Sequence, residues 1–269
     1  MNLLTTKKTM VKRFKSQIMN LAISLSIGSF CLFRVIKSQS IQVQKLTENN
    51  LTTENYAQLE KAEGLKLSFM KKMPTFGFDN LIADWTMLRF LQYFGDGEAR
   101  KQTGYSLSPD FLEIIVDRDP LFSRAYTIIS PASSMFAGHP ERTVTLMEKG
   151  LQELSPDIPN SYYVWLYKGI DEILFLGDLQ QAQNSYEMAA KWAEQAGNES
   201  IAKSASGTAK FLASKPDVTQ AQIGAWVLLY ANARDTATRQ IAERKIESLG
   251  GELKVYPDGR VEAIPPENS

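Results

Sequence analysis

The stretch WLYKGIDEILFLGDLQQAQNSYEMA, Trp165 to Ala189, decides the fold. It has two helical halves on either side of Leu176-Gly177-Asp178. In the first half a large residue, Trp165, and a small one, Gly169, are four positions apart and share a face. In the second, Ala182, Tyr186 and Ala189 are spaced by four and by three and share another. The glycine stops one helix and the aspartate starts the next. Gly169, Ala182 and Ala189 let two antiparallel helices approach closely, and Trp165 and Tyr186 fill the gaps between them. Gly169 and Gly177 are eight positions apart, which leaves a long first helix.

Outward from this stretch the same grammar continues. From Tyr56 onward apolar residues recur at three and four positions, as in Leu81, Trp85, Leu88 and Leu91. Pro74, Gly95–Gly97, Pro109, Pro120, Gly138–Pro140, Pro156–Pro159, Gly197-Asn198, Pro216 and Gly250-Gly251 punctuate the chain. Segments of about 11–18 residues lie between these marks, the ordinary length of globular helices. Ser108 before Pro109 and Asp119 before Pro120 read as helix caps. Tyr126–Phe136 and Glu141–Leu154 read as a second helix pair, with Pro131 expected to kink or shorten its first member. Glu199–Ala213 and Val218–Ala233 have the lengths of a third pair, and Gln240–Leu249 reads as a closing helix. Only at the end does the period change. There Glu252–Val255 and Arg260–Ala263 flank Tyr256-Pro257-Asp258-Gly259, either a short β-hairpin or an extended tail.

Trp165, Gly169, the Gly177-Asp178 turn, Ala182, Tyr186 and Ala189 resemble a tetratricopeptide repeat, with one residue more than usual between the two glycines. The region 78–249 is also similar to bacterial membrane-anchored proteins with divergent repeats, on the strength of Leu81 to Gly95, of Asp119 to Tyr126 and of Leu176-Gly177-Asp178. The resemblance implies an all-α fold: an α-solenoid of antiparallel helix pairs over 57–249, followed by a tail or hairpin, 250–269. It also implies that first helices line a concave groove that holds a protein partner. Tyr163, Tyr167 and Ile170, spaced by four and three, form the stripe that would face this groove. The alternative is that the stripe packs against the neighbouring repeat.

The N-terminal part reads differently. The chain holds 30 basic and 30 acidic residues, but residues 1–47 carry eight basic residues and no acidic one, so the remainder is acidic by eight charges. After the basic segment 1–15, residues Ser16 to Phe33 are uncharged. As a helix they cover roughly 27 Å, close to the hydrocarbon core of a bilayer. Flanking Lys15 and Arg34 can snorkel to the headgroups. We therefore expect an uncleaved transmembrane signal anchor over 16–36 and a polar stalk over 37–56. Five basic residues precede the span and two follow closely, so the N-terminus is expected in the cytoplasm and the repeat domain on the outer side. A cleaved signal peptide is the competing reading, although Phe30, Leu32 and Phe33 crowd the place of a small-residue cleavage site. A transit peptide and an amphipathic surface helix are further alternatives.

Motifs of catalysis are not evident. With one Cys and one His, a disulfide framework within the chain is excluded and a metal site is not expected. His139 sits in a Gly-His-Pro turn, where capping or solvation is expected rather than general-base work. Gly95-Asp96-Gly97 reads as a turn with no strand before it, not as a phosphate loop. Asp84 and Arg89 read as structural ion-pair members, because an unpaired buried charge is costly. The acidic body disfavours nucleic acid as a partner. The expectation is a membrane-anchored scaffold without cofactor or catalytic residue. A secreted helical enzyme or small-molecule binder, released by signal-peptide cleavage, is the other possibility.

Overall fold

The computed structural model describes Met19, Ser26, residues 28–30, 32–34, 36–37, 52–258 and 260–264. The chain divides into two units, Met1–Glu54 and Asn55–Ser269. Most of the expected span 16–36 lies outside the described residues. Those described within it are helical and exposed. Among the described residues no helix is long and apolar enough to cross a membrane.

The body is mostly helical, with one small sheet. Helices α1 (Thr53–Lys72) and α2 (Asp79–Gly95) form a first hairpin, and α3 (Gly97–Thr103) is a short connector. Then come α4 (Ser108–Arg118), α5 (Ser123–Pro131), α6 (Pro140–Leu151), α7 (Tyr162–Asp171), α8 (Leu179–Gln195), α9 (Glu199–Ala213), α10 (Thr219–Asn232) and α11 (Thr236–Ser248). Strands β1 (Glu252–Val255) and β2 (Val261–Ile264) close the chain as an antiparallel hairpin, with Glu252 opposite Ile264 and Val255 opposite Val261.

Two first helices end in the same unusual way. Alpha-helix α5 gives way to a π turn, Ala132–Phe136, and α7 to a π turn, Glu172–Leu176. A π turn takes one residue more than an α turn, which absorbs the surplus residue between Gly169 and Gly177. The first of the two begins directly after Pro131, whose ring removes an amide donor from the ladder. Both turns end on a left-handed glycine, Gly138 with φ 71° and Gly177 with φ 70°. Both also close with an amide six residues back: His139 N donates to Ser133 O at 3.0 Å, and Asp178 N to Glu172 O at 2.9 Å. Asp178 then caps α8 by accepting from Gln181 N at 3.0 Å. Thr143 and Ala182, each five positions after its left-handed glycine, are both fully buried.

Two cap expectations shift. Helix α4 starts one residue earlier than Pro109 suggests, with Leu107 at the cap and Ser108 buried inside. Helix α5 starts at Ser123, not at Pro120, and Asp119 instead holds a turn by accepting from Leu121 N at 3.1 Å. In both cases the apolar residues Leu107 and Phe122 pack against the main core, and that burial outweighs the local cap preference.

The main core runs through α1, α2 and α4 to α9 and centres on Phe90, Phe111, Ile115, Tyr126, Ile129 and Met147. A second core, built on Phe175, Ile223, Trp226, Leu229, Ala242 and Ile246, joins α10, α11 and the hairpin to the π turns, with Met135 and Leu174 against it. The Phe175 and Trp226 rings meet edge-on, centroids 5.1 Å apart. Thus α9 lies along α8, but α10 does not stack on α9 as a third pair would. It turns back across the ends of the first helices. Asp235 beside Gly104, Thr238 and Ile241 beside Gly138, and Gln222 beside Gly177 mark this return.

Candidate functional site

The residues expected to carry the repeat contact stand at the α7–α8 crossing. Ala182 and Ala189 are fully buried. A Cβ on Gly169 would come within 2.8 Å of the Tyr186 ring, so no larger residue fits without moving that ring. Trp165 meets Trp192 edge-on, centroids 5.8 Å apart.

On the outer side of α7, Tyr163 and Tyr167 line a shallow cavity of about 470 Å³. Ser123, Arg124 and Thr127 from α5 form its other wall, and Asn160 closes one end. Tyr163 and Tyr167 are half-buried, one helical turn apart on α7. Ile170, the third member of the expected stripe, is half-buried and does not line the cavity. The Arg124 guanidinium is exposed and has no ion-pair partner among the described residues. Burial, then the neighbouring Tyr162 and Tyr167, push the Tyr163 hydroxyl up from its ordinary value, so it is a neutral donor at physiological pH. The buried Tyr162 behind it fixes the wall: its hydroxyl donates to Asn160 Oδ1 at 3.3 Å and accepts from Asn198 Nδ2 at 3.0 Å. Asn160 itself sits at φ 63°, a left-handed conformation that asparagine tolerates. Chemically this site offers two aromatic faces, several hydroxyls and one free cation.

At the end of α7 lies a buried polar cluster that the sequence reading did not single out. Lys168 of α7 and Glu172, the first residue of the π turn that follows it, form a buried ion pair. Ser185 Oγ donates to Glu172 Oε2 at 2.7 Å, and Glu148 approaches Lys168 at 3.3 Å. Next to it the Asp171 carboxylic group accepts from Ser134 Oγ at 2.5 Å. Burial pushes the Asp171 carboxyl up to about 8; the Ser134 hydrogen bond opposes the shift and the Glu172 charge adds to it. Asp171 is therefore held as the neutral acid at physiological pH. The i, i+4 spacing of Lys168 and Glu172 was visible, but spacing alone does not separate a buried pair from a solvated one.

The remaining candidates fall elsewhere. His139 caps α6 through its backbone, without a side-chain cap bond. Burial, then the Arg142 charge, hold its imidazole below the ordinary value. Arg89 pairs with Glu63 of α1, while Asp84 is exposed, so the two are not partners. Asp110 and Glu113 on α4 share Lys71 and Arg142, tying α1 and α6 to α4. Among the described residues no group of His, Cys, Asp and Glu is arranged to hold a metal ion. The chain matches no family model, no curated protein and no solved structure.

Proposed function

We propose that this chain is a membrane-anchored, tetratricopeptide-like scaffold that holds an extended segment of a protein partner in the α5–α7 groove. The observation that carries the reading is the placement of Tyr163 and Tyr167 in one cavity with Arg124. Tyrosine rings at the centre of an interface contribute strongly to binding, because they bury apolar area while their hydroxyls stay paired. The paired turns at Gly138 and Gly177 support a repeat architecture, and the return of α10 and α11 limits the stack to two full pairs. Residues 16–36 would hold the body at the membrane, N-terminus in the cytoplasm and body outside, for assembly of a larger complex. No catalytic residue is assigned.

The test is affinity capture of the full chain from detergent-solubilised membranes, read beside circular dichroism. Tyr163→Ala with Tyr167→Ala should cost about 2 kcal/mol or more of binding and release the partner with helix content unchanged. His139→Ala should retain it. Loss of the fold in the double variant would make these tyrosines core residues. Loss of partner in His139→Ala would move the site away from the groove.

A further inference from the structure

The first hairpin is apolar on two sides. Ala83, Met87, Phe90 and Tyr93 of α2 are buried against α4 and its neighbours. On the opposite side Leu81, Trp85 and Leu88 recur at helical spacing and are 62%, 54% and 56% exposed. Trp85 shares a shallow groove of about 420 Å³ with Phe69 of α1, so both helices contribute to this face. Beyond them the connecting turn carries Phe76, 86% exposed, and Phe78, 63% exposed. The turn is tight: Phe76 has φ 51°, Gly77 φ 87°, and Phe78 N donates to Thr75 O at 2.9 Å. Helices that show apolar residues all round are usually covered on all sides, and an exposed patch of this kind marks an interaction surface.

We infer that this face is covered by a lipid surface, with the Phe76-Gly77-Phe78 tip inserted at the headgroup boundary. The inference rests on the anchor reading of residues 16–36. Three observations favour lipid over a folded partner. The most exposed aromatic among the described residues, Phe76, stands on the turn between the two helices with Phe78 two positions on, whereas protein hot spots sit in packed, desolvated pockets. Trp85 and the two phenylalanines, with exposed Lys72 at the end of α1, are the residue types that settle at a membrane interface. The tether is also long enough. Helix α1 has 20 residues and is about 30 Å long. Residues 37–52 could reach at most roughly 55 Å when fully extended. The chain can therefore leave the bilayer, and α1 can run back until its far end meets it. Asp84 lies at the edge of the face, where it stays in the hydrated headgroup layer.

The experiment uses the full chain with Cys31→Ser and one new cysteine, Phe76→Cys, carrying a nitroxide. The protein is reconstituted into phosphatidylcholine–phosphatidylglycerol vesicles and checked by flotation. A label at Phe211→Cys, an exposed site on α9, is the reference. At position 76 the expected result is a several-fold lower collision rate with a water-soluble nickel chelate than at position 211, together with raised access to oxygen. Equal nickel access at the two positions in chains that float overturns the lipid inference and leaves the anchor standing. Chains that fail to float overturn the anchor and the inference with it. Dipolar broadening at position 76 that vanishes on dilution with unlabelled chain would assign the face to a second copy instead, and so overturns the lipid inference as well.

Discussion

Replacing Asp171 by asparagine should make the protein more stable at neutral pH, and the gain should depend on pH. The native carboxyl titrates at about 8, whereas an ordinary aspartate titrates near 3.8. Below the lower value both states are protonated and the residue is neutral in each. Between the two values the unfolded chain has released a proton that the native state retains. Stability therefore falls as pH rises through this window, by about 1.4 kcal/mol per unit. Between pH 5 and pH 7 the loss approaches about 3 kcal/mol in the limit of a fully retained proton. Asparagine is nearly isosteric, has no proton to lose, and its amide oxygen can still accept from Ser134 Oγ. Urea unfolding of the full chain in detergent, followed by circular dichroism at pH 4 to 8, measures the difference. Asp171→Asn should come closest to the parent near pH 4 and exceed it by up to about 4 kcal/mol at pH 7, with an unchanged dependence on urea concentration. Asp110 and Glu113, held below the ordinary range against their burial by Lys71 and Arg142, contribute the opposite slope at low pH. They are present in both proteins and cancel. Parallel profiles with a constant offset would refute a retained proton at Asp171.

Two further outcomes follow from packing and capping. Ala182→Leu or Ala189→Leu should overpack the α7–α8 contact and lower stability by about 1–3 kcal/mol in thermal unfolding; unchanged midpoints for both would contradict the close approach at these alanines. Arg118 Nη2 donates to the carbonyls of Met70, Lys71 and Met73 at 3.2, 2.9 and 2.9 Å, closing the end of α1. Arg118→Met should cost about 2 kcal/mol and speed amide exchange around residues 70–73, while unaltered exchange there would show that water replaces the guanidinium without penalty.

Much of this architecture is legible in the sequence because it is local. The Gly177-Asp178 turn, the apolar spacing of α2 and the Tyr256-Pro257-Asp258 turn signal after β1 each depend on neighbours along the chain. The extra residue between Gly169 and Gly177 is visible as a count, but its resolution into a π turn depends on how Leu174 and Phe175 meet the second core. Arg89 finds Glu63 across the first hairpin rather than Asp84 on its own helix, a tertiary choice that spacing does not encode. The pattern of α11 says that it buries a face and the apolar residues of α10 say that it is covered, not that the cover lies on the π turns. In the groove, the four-residue spacing of Tyr163 and Tyr167 is legible. Arg124 belongs to a different helix, and only the packing of α5 beside α7 brings it there.

The return of the C-terminal helices across Gly104, Gly138 and Gly177 changes how such a chain assembles. In an open array each repeat touches only its neighbours, and order spreads along it step by step. Here Lys245 reaches Glu141 at 3.1 Å, and Asp235 lies against Gly104, so the last helices close a ring over the earlier turns. Contacts between such distant parts of the chain slow the search for the native state, because a long loop must be ordered before they form. The nascent chain consequently completes its second core only after α11 has been synthesised, and until then Phe175, with Met135 and Leu174 beside it, lacks that cover.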